Sequence, residues 1–177
     1  MEGLVIRTAL LNEFESVMDF YYELIDSIHK AEFRPDWKKD VYPARQFIYD
    51  SISEKNLFIA IIDSTIVGSM VMNQVCSGGY SKVKWNVSAE NNEIMIIHAL
   101  AVSQNFHGKG IAKKMVEYAI DLCRDNGMKA IRLDVLVSNM PAFKLYEKMG
   151  FLFIDKIQLF YEDTGLTDFL LYEFAIK

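Results

Sequence analysis

Seven apolar residues near the N-terminus, Phe14, Val17, Met18, Tyr21, Leu24, Ile25 and Ile28, recur three and four apart, the spacing of one buried face of a helix. The pattern predicts a helix that opens at Asn12-Glu13-Phe14-Glu15, which has the spacing of a capping box, and continues to about Ala31. Val5 to Ala9, ahead of it, reads as a short strand. Phe33 to Pro43 mixes aromatic and charged residues with two prolines and is expected as a loop, with a second helix from Pro43 to about Lys55. Leu57 to Ile62 and Ile66 to Val75 flank Asp63-Ser64-Thr65 as the strands of a hairpin.

Gly78-Gly79 and Glu90 to Glu93 bound a polar, less regular segment that carries Trp85. Ile94 to Val102 is then almost continuously apolar, the mark of a strand buried on both faces, with His98 as its one interruption. A helix is expected from near Gly108 to Asn126, because Ile111, Met115, Tyr118, Ala119, Leu122 and Cys123 keep helical spacing and Gly127 suits the C-terminal stop. Ile131 to Val137 reads as a strand, Met140 to Met149 as a short helix ended by Gly150, and Phe151 to Phe160 and Phe169 to Ile176 as two closing strands. The order β-α-α-β-β-β-α-β-α-β-β describes an α/β protein, a mixed sheet with helices on both faces. With no repeat and no linker, residues 1–177 are expected as one domain.

Charge narrows the ligand. A formal charge of −5 and a pI near 5.2 oppose a nucleic-acid-binding role, which needs a basic face. Cys76 and Cys123 are far apart in apolar surroundings and read as free buried thiols of a reducing compartment. No metal-ligand spacing occurs, and no apolar run approaches membrane-spanning length, so a cytoplasmic protein with no membrane partner is expected.

Against that acidic balance, Leu100 to Ala112 passes from an apolar run into a Gly-rich turn and then a helix, with Lys109, Lys113 and Lys114 close by and no acid between Ser103 and Val116. Glycines let backbone amides approach a phosphate, and a helix N-terminus adds free N–H groups and a positive dipole end. The segment reads as a cradle for a small phosphorylated ligand. Lys109 lies inside the turn, whereas Lys113 and Lys114 read equally well as phosphate ligands or as a solvated helix face.

His107-Gly108-Lys109-Gly110-Ile111-Ala112 resembles motif A of the GNAT superfamily of N-acetyltransferases, Q/R-x-x-G-x-G/A, with His107 in place of Gln or Arg. Asn139-Met140-Pro141-Ala142-Phe143-Lys144-Leu145-Tyr146-Glu147-Lys148-Met149-Gly150-Phe151 resembles the family's second marker, N-x-x-A-x-x-L-Y-x-x-x-G-F. Two markers in order, one helix and one strand apart, make the likeness specific. It implies a mostly antiparallel sheet splayed at its middle and acetyl-CoA as cosubstrate, with no metal. His107, Gly108, Lys109, Gly110, Ile111 and Ala112 would then hold the diphosphate and Leu100, Ala101 and Val102 the pantetheine arm; Asn139 would reach the pantetheine or orient the substrate end, Ala142 would belong to the cofactor site, and Tyr146 would stand at the thioester end.

The implied reaction moves an acetyl group to a primary amine, a small molecule or a peptide N-terminus, by direct attack in a ternary complex. Tyr146 is the candidate general acid, since a phenol stays protonated at neutral pH; its other reading is a core tyrosine, and that of Asn139 a helix cap. His98 is a candidate base or a buried structural histidine, and alternation along its strand puts it on the face of Leu100 and Val102. Asp134 is equally double-natured and is expected beside a basic group. Trp37, Tyr42, Tyr80 and Trp85 fall where the family builds its acceptor pocket, though core packing is the first expectation for each. A noncatalytic acyl-CoA sensor is the alternative reading. A P-loop phosphotransferase is opposed, because Gly108-Lys109-Gly110 lacks the required spacing. The apolar strand Phe169 to Phe174 suggests a homodimer.

Overall fold

Asp63 and Ser64 both take positive φ, 47° and 65°, the conformation a two-residue hairpin turn demands, and so join strands β2 (Leu57–Ile62) and β3 (Thr65–Asn73). The computed structural model of the chain describes residues 3–28 and 36–177. Around this hairpin the sheet grows to seven strands in the order β1-β2-β3-β4-β5-β7-β6, with β1 (Val5–Thr8), β4 (Ile94–Val102), β5 (Ala130–Leu136), β6 (Leu152–Tyr161) and β7 (Gly165–Ala175). Every pairing is antiparallel except β4 with β5.

Helices cover both faces. On one side α1 (Phe14–Ile28) and α2 (Arg45–Ser53) pack Val17, Met18, Tyr21, Ile48 and Ile52 against Leu57, Ile59, Val71 and Ala101. On the other α3 (Ile111–Asp125) and α4 (Met140–Lys148) pack Ile111, Met115, Val116, Ala119 and Tyr146 against Phe58, Met70, Met72, Ile97 and Leu133. The expected mixed α/β architecture, mostly antiparallel, is the one observed.

Several boundaries move. The end of the first helix near Ala31 and residues 33–35 of the following loop lie outside the described residues. At the start of that helix the capping role belongs to Glu13, whose carboxylate accepts the Leu10 amide at 2.8 Å and pairs with Arg7, while Glu15 pairs instead with Arg45 at 2.6 Å. The second helix begins at Arg45 and not at Pro43, because Ala44 is still extended (φ −71°, ψ 148°). The third begins at Ile111, since Gly108 and Gly110 at φ 74° and 77° cannot belong to a right-handed helix. The last strand starts at Gly165, four residues ahead of Phe169, which makes β6 and β7 a tight hairpin. β7 is paired on both edges, so it offers no edge to a neighbouring chain; β6 is the edge strand on that side and β1 on the other.

Two irregularities in β4 shape the middle of the sheet. First, β4 pairs with β5 only through Ile94, Met95 and Ile96, and beyond that point the strands splay. Second, β4 carries one extra residue: Val71 is opposite His98 and Ser69 opposite Ala101, so two steps on β3 match three on β4, with Ala99 at φ 48°. A one-residue insertion inverts the alternation that follows it. His98 therefore lies on the α1/α2 face, whereas Leu100 and Val102 pack toward α3, contrary to the uninterrupted alternation expected above.

Candidate functional site

The turn between β4 and α3 is built to expose amides. Gln104–Phe106 forms a 3-10 turn, Gly108 and Gly110 follow with positive φ, and a Cβ added at either would meet nothing within 4 Å. The first hydrogen bond into the helix is Lys114 N–H to the Gly110 carbonyl at 3.0 Å. The amides of Gly108, Gly110, Ile111, Ala112 and Lys113 thus have no partner among the described residues, as at any helix N-terminus left uncapped. His107 Nε2 lies 3.0 Å from the Val102 carbonyl, tying the turn back to the end of β4. Lys109 lies over the Phe106 ring, 4.5 Å from its centroid, while Lys113 and Lys114 pair with Glu117 at 3.6 and 2.8 Å on the exposed side of α3.

Where β4 and β5 diverge, a cavity of about 110 Å³ opens, lined from both faces of the sheet. Leu100, Val135, Asn139, Ala142 and Tyr146 contribute from the α3/α4 side; Trp37, Tyr42, His98, Asp134, Tyr161 and Asp163 from the other. Parallel pairing of Ile96 with Arg132 puts their faces in phase, so His98 and Asp134, each two residues on, project to the same side from the two separating strands.

Asn139, Ala142 and Tyr146 line this cavity along one face of α4. Asn139 precedes the helix but makes no side-chain cap. Tyr146 is 5% exposed, packs edge-on to Phe151, and its hydroxyl has no hydrogen-bond partner among the described residues. Burial and the nearby Asp134 charge hold that hydroxyl well above the usual phenol range, so it stays protonated.

The two candidate bases differ sharply in setting. His98 Nε2 is 3.0 Å from Asn73 Oδ1, an oxygen that also accepts the Val75 amide at 2.9 Å and so must be the carbonyl end; the hydrogen is therefore on Nε2. Burial pulls the imidazole down to about 4, partly offset by a backbone hydrogen bond with Val75. Among the described residues Asp134 meets no basic group, contrary to expectation. Its Oδ2 accepts hydroxyl hydrogens from Tyr80 at 2.9 Å and Tyr161 at 3.0 Å, and burial raises its carboxyl above the ordinary range against the lowering effect of those two bonds.

Sequence reasoning singled out Trp37 and Tyr42 but favoured core packing; both line the cavity. Trp37 and Tyr42 meet at 5.7 Å between centroids, and Tyr42 and Tyr161 at 6.3 Å, which makes a wall from segments 119 residues apart in sequence. Tyr80 reaches Asp134, while Trp85 carries the Arg132 guanidinium over its ring at 4.2 Å. Tyr161 and Asp163 were missed altogether, because they belong to a hairpin whose turn the sequence pattern did not mark. Lys38 Nζ donates to the Asp163 carbonyl at 2.8 Å, fastening that hairpin to the loop before α2. No Lys or Arg lines the cavity among the described residues.

The sequence model described as Acetyltransferase (GNAT) family matches residues 22–151. Over 120 residues the chain is 31% identical to the N-alpha-acetyltransferase of Saccharolobus solfataricus, a match that covers 66% of this chain and 70% of that protein. Two further curated relatives are matched over only 39% and 50% of their own length. In fold the chain is similar to a GNAT family acetyltransferase from Streptococcus agalactiae (TM-score 0.81, 24% identity, 99% of this chain and 96% of that one). It is likewise similar to yncA from Salmonella typhimurium, solved with its cofactor acetyl-CoA (TM-score 0.71, 14% identity, 99% and 95%).

Proposed function

The chain belongs to the GNAT family, that of acyl-CoA-dependent N-acyltransferases, and we propose that it carries an acetyl group from acetyl-CoA to a primary amine by direct attack within a ternary complex. One observation supports this above others: the cavity at the β4–β5 splay is lined from both faces of the sheet, with the cradle of free amides and Tyr146 belonging to one side and an aromatic, acidic wall to the other. Two reactants can enter from opposite sides and meet there without a covalent intermediate.

The amides of Gly108 and of Gly110 to Lys113 suit the diphosphate of acetyl-CoA, each free N–H finding an anionic oxygen at the positive end of α3. His107 keeps the turn in place through Val102. The edge of β4 from Ile97 onward, unpaired with β5, offers backbone groups of Leu100, Ala101 and Val102 to the amides of the pantetheine arm and an N–H to the thioester oxygen as it gains charge. Tyr146 supplies the proton to the departing sulfur, and Asn139 and Ala142 border the same space.

The acceptor enters from the aromatic side as a cation. Trp37, Tyr42 and Tyr161 present ring faces suited to an ammonium group, and with no Lys or Arg lining the cavity among the described residues a carboxylate next to the amine would be repelled. A small amine or a peptide N-terminus fits this chemistry; the similarity to an N-alpha-acetyltransferase favours the second equally with the first. A sensor role is disfavoured by Tyr146, which lines the cavity and whose hydroxyl stays protonated, as the donor of a proton there must.

Calorimetric titration with acetyl-CoA, followed by thiol-release assays over a panel of amines and short peptides, tests the reading. Binding is expected, with release that falls about 10²- to 10⁴-fold in Tyr146→Phe while acetyl-CoA affinity holds. Failure to bind acetyl-CoA would overturn it.

A further inference from the structure

We infer that the acceptor is an α,ω-diamine, which sends one amine past the rings of Trp37 and Tyr42 toward Tyr146 while Asp163 and Asp36 hold its other end as an ammonium. The inference rests on the transfer reading above and names the substrate class within it.

The cavity is acidic at two separate places. Asp134 marks the inner one, on β5 where it has parted from β4. Asp163 and Asp36 mark the outer one: Asp36 is exposed and its charge acts on the Asp163 carboxyl, whereas the raised Asp134 carboxyl owes nothing to either. Tyr42 lies between the two, since the charges of Asp134 and Asp163 both raise its hydroxyl. Tyr161 spans the gap. Its backbone belongs to the hairpin that carries Asp163 and its hydroxyl donates to Asp134 at 3.0 Å, so the two ends are about one tyrosine side chain apart.

The outer end is fitted for a cation. Asp163 is 7% exposed, and burial raises its carboxyl although its own amide, the Thr164 amide and the charge of Lys38 all act the other way. Lys38 donates its Nζ hydrogen to the Asp163 carbonyl at 2.8 Å and does not line the cavity. A buried carboxylate whose desolvation is only partly offset gains from a cation that a ligand brings. Between the ends the wall is Trp37, Tyr42 and Tyr161, with centroids 5.7 and 6.3 Å apart, surfaces suited to methylenes flanked by ammonium groups. At about 1.5 Å per bond in an extended zigzag, roughly four or five methylenes cover the gap. Tyr146 is an independent mark of a ligand here: it is 5% exposed and lines the cavity, and its hydroxyl has no partner among the described residues.

Other acceptors match less well. A monoamine leaves Asp163 without a cation, an ω-amino acid brings a carboxylate to it, and a peptide N-terminus places a neutral amide at that distance. In the transfer itself the reacting ammonium loses two protons as its C–N bond forms; one goes to the departing sulfur and one to solvent. The distal ammonium keeps its protons throughout. Once acetylated, the diamine has an uncharged amide at one end and no longer matches both places, so the reaction stops after one acetyl group.

Thiol release with 1-aminobutane, 4-aminobutanoate and a series of unbranched diamines from three to seven carbons tests this. In the wild type kcat/KM is expected to peak at 1,4-diaminobutane or 1,5-diaminopentane, about 10- to 100-fold above 1-aminobutane, with 4-aminobutanoate below both and mass spectrometry showing monoacetylated product. The ratio of diamine to monoamine should fall to within about threefold of unity in Asp163→Asn, with acetyl-CoA affinity retained by calorimetry. Asp36→Asn, an exposed substitution at the same end, should lower that ratio too, and it serves if Asp163→Asn does not fold. A flat length series, a wild-type ratio near unity, a ratio unchanged in the variants, or release with 1-aminobutane or a short peptide that exceeds release with every diamine would each overturn the inference. Absence of acetyl-CoA binding, or of release with every amine and peptide, would overturn the transfer reading itself.

Discussion

The hydroxyl of Tyr21, on α1, donates to the carbonyl of Ala99, 78 residues further along, at 2.9 Å, and its oxygen lies 3.0 Å from Ser69 Oγ on β3. Ala99 is the residue at which β4 bulges, with φ 48°. A buried tyrosine of the helical layer thus fastens the one irregularity that sends His98 and Leu100 to opposite faces of the sheet. Tyr21→Phe would leave a buried carbonyl and a buried hydroxyl short of a partner, and is expected to lower stability by about 1–3 kcal/mol. A fall in the urea midpoint at unchanged slope is the measurement, and acetyl transfer should decline with it as the edge of β4 relaxes.

Gly110→Ala tests the amide cradle. The position has φ 77° and open space around it, so the penalty is conformational and not steric, about 1–2 kcal/mol for an L-residue in the left-handed region. Relief of that strain would rotate the Gly110 and Ile111 amides. Acetyl-CoA affinity by calorimetry should fall about tenfold or more, with only a modest fall in melting temperature.

His98 makes stability depend on pH. Burial holds its folded-state value at about 4, below the value of about 6.5 for an exposed histidine, so the unfolded chain takes up a proton that the folded protein refuses. Stability is therefore lost as pH falls through 6.5 and the loss is complete near 4, about 3 kcal/mol at its limit. Asp134 and Asp163, both raised by burial, act in the opposite sense and are common to any His98 variant. The difference in urea stability between wild type and His98→Gln, followed from pH 7 to pH 4, should shrink or reverse as the histidine's penalty appears.

Glu173 on β7 ties the irregular segment to the sheet. Its carboxylate pairs with Arg132 Nε at 2.9 Å and accepts the amides of Asn86 and Val87, each at 3.0 Å, while Arg132 donates to the Val87 carbonyl at 2.8 Å. Arg132 and Glu173 are both buried, at 6% and 2% exposure. Glu173→Ala leaves a guanidinium without its counter-charge in the interior and is expected to cost about 3–5 kcal/mol, read as a large drop in urea midpoint. Because the same segment carries Tyr80 to Asp134, transfer activity should fall further than melting alone predicts.

Most element types were readable along the chain because each had its own period. α1 keeps its 3.6-residue stripe, the β2–β3 hairpin its polar turn, and β4 its apolar run from Ile94 to Val102, whose bounds coincide with those observed. The errors fall where one residue's backbone departs from the local rule. Gly108 and Gly110 shorten α3 at its start, Ala44 delays α2, and Ala99 inverts a face, and none of these conformations is dictated by residue type alone. The β6–β7 turn was lost for a related reason: Glu162-Asp163-Thr164 does not punctuate strongly, and Gly165 was the only glycine nearby.

The sequence by itself determined the cradle and the family, because both depend on residues adjacent in the chain: the Gly-rich turn before α3, and Asn139, Ala142 and Tyr146 on one face of α4. Local spacing suffices where one helix or one turn supplies all the groups. The acceptor side was decided only by the tertiary structure. Trp37 and Tyr42, Tyr80, Asp134 and Tyr161 come from four separate segments, and what gathers them is the divergence of β4 from β5 after three paired residues. A carboxylate in mid-strand becomes part of an acceptor site only when folding withdraws it from water, gives it two phenol donors and leaves it without a cation among the described residues. Those are properties of its surroundings, which no pattern of spacing along the chain encodes.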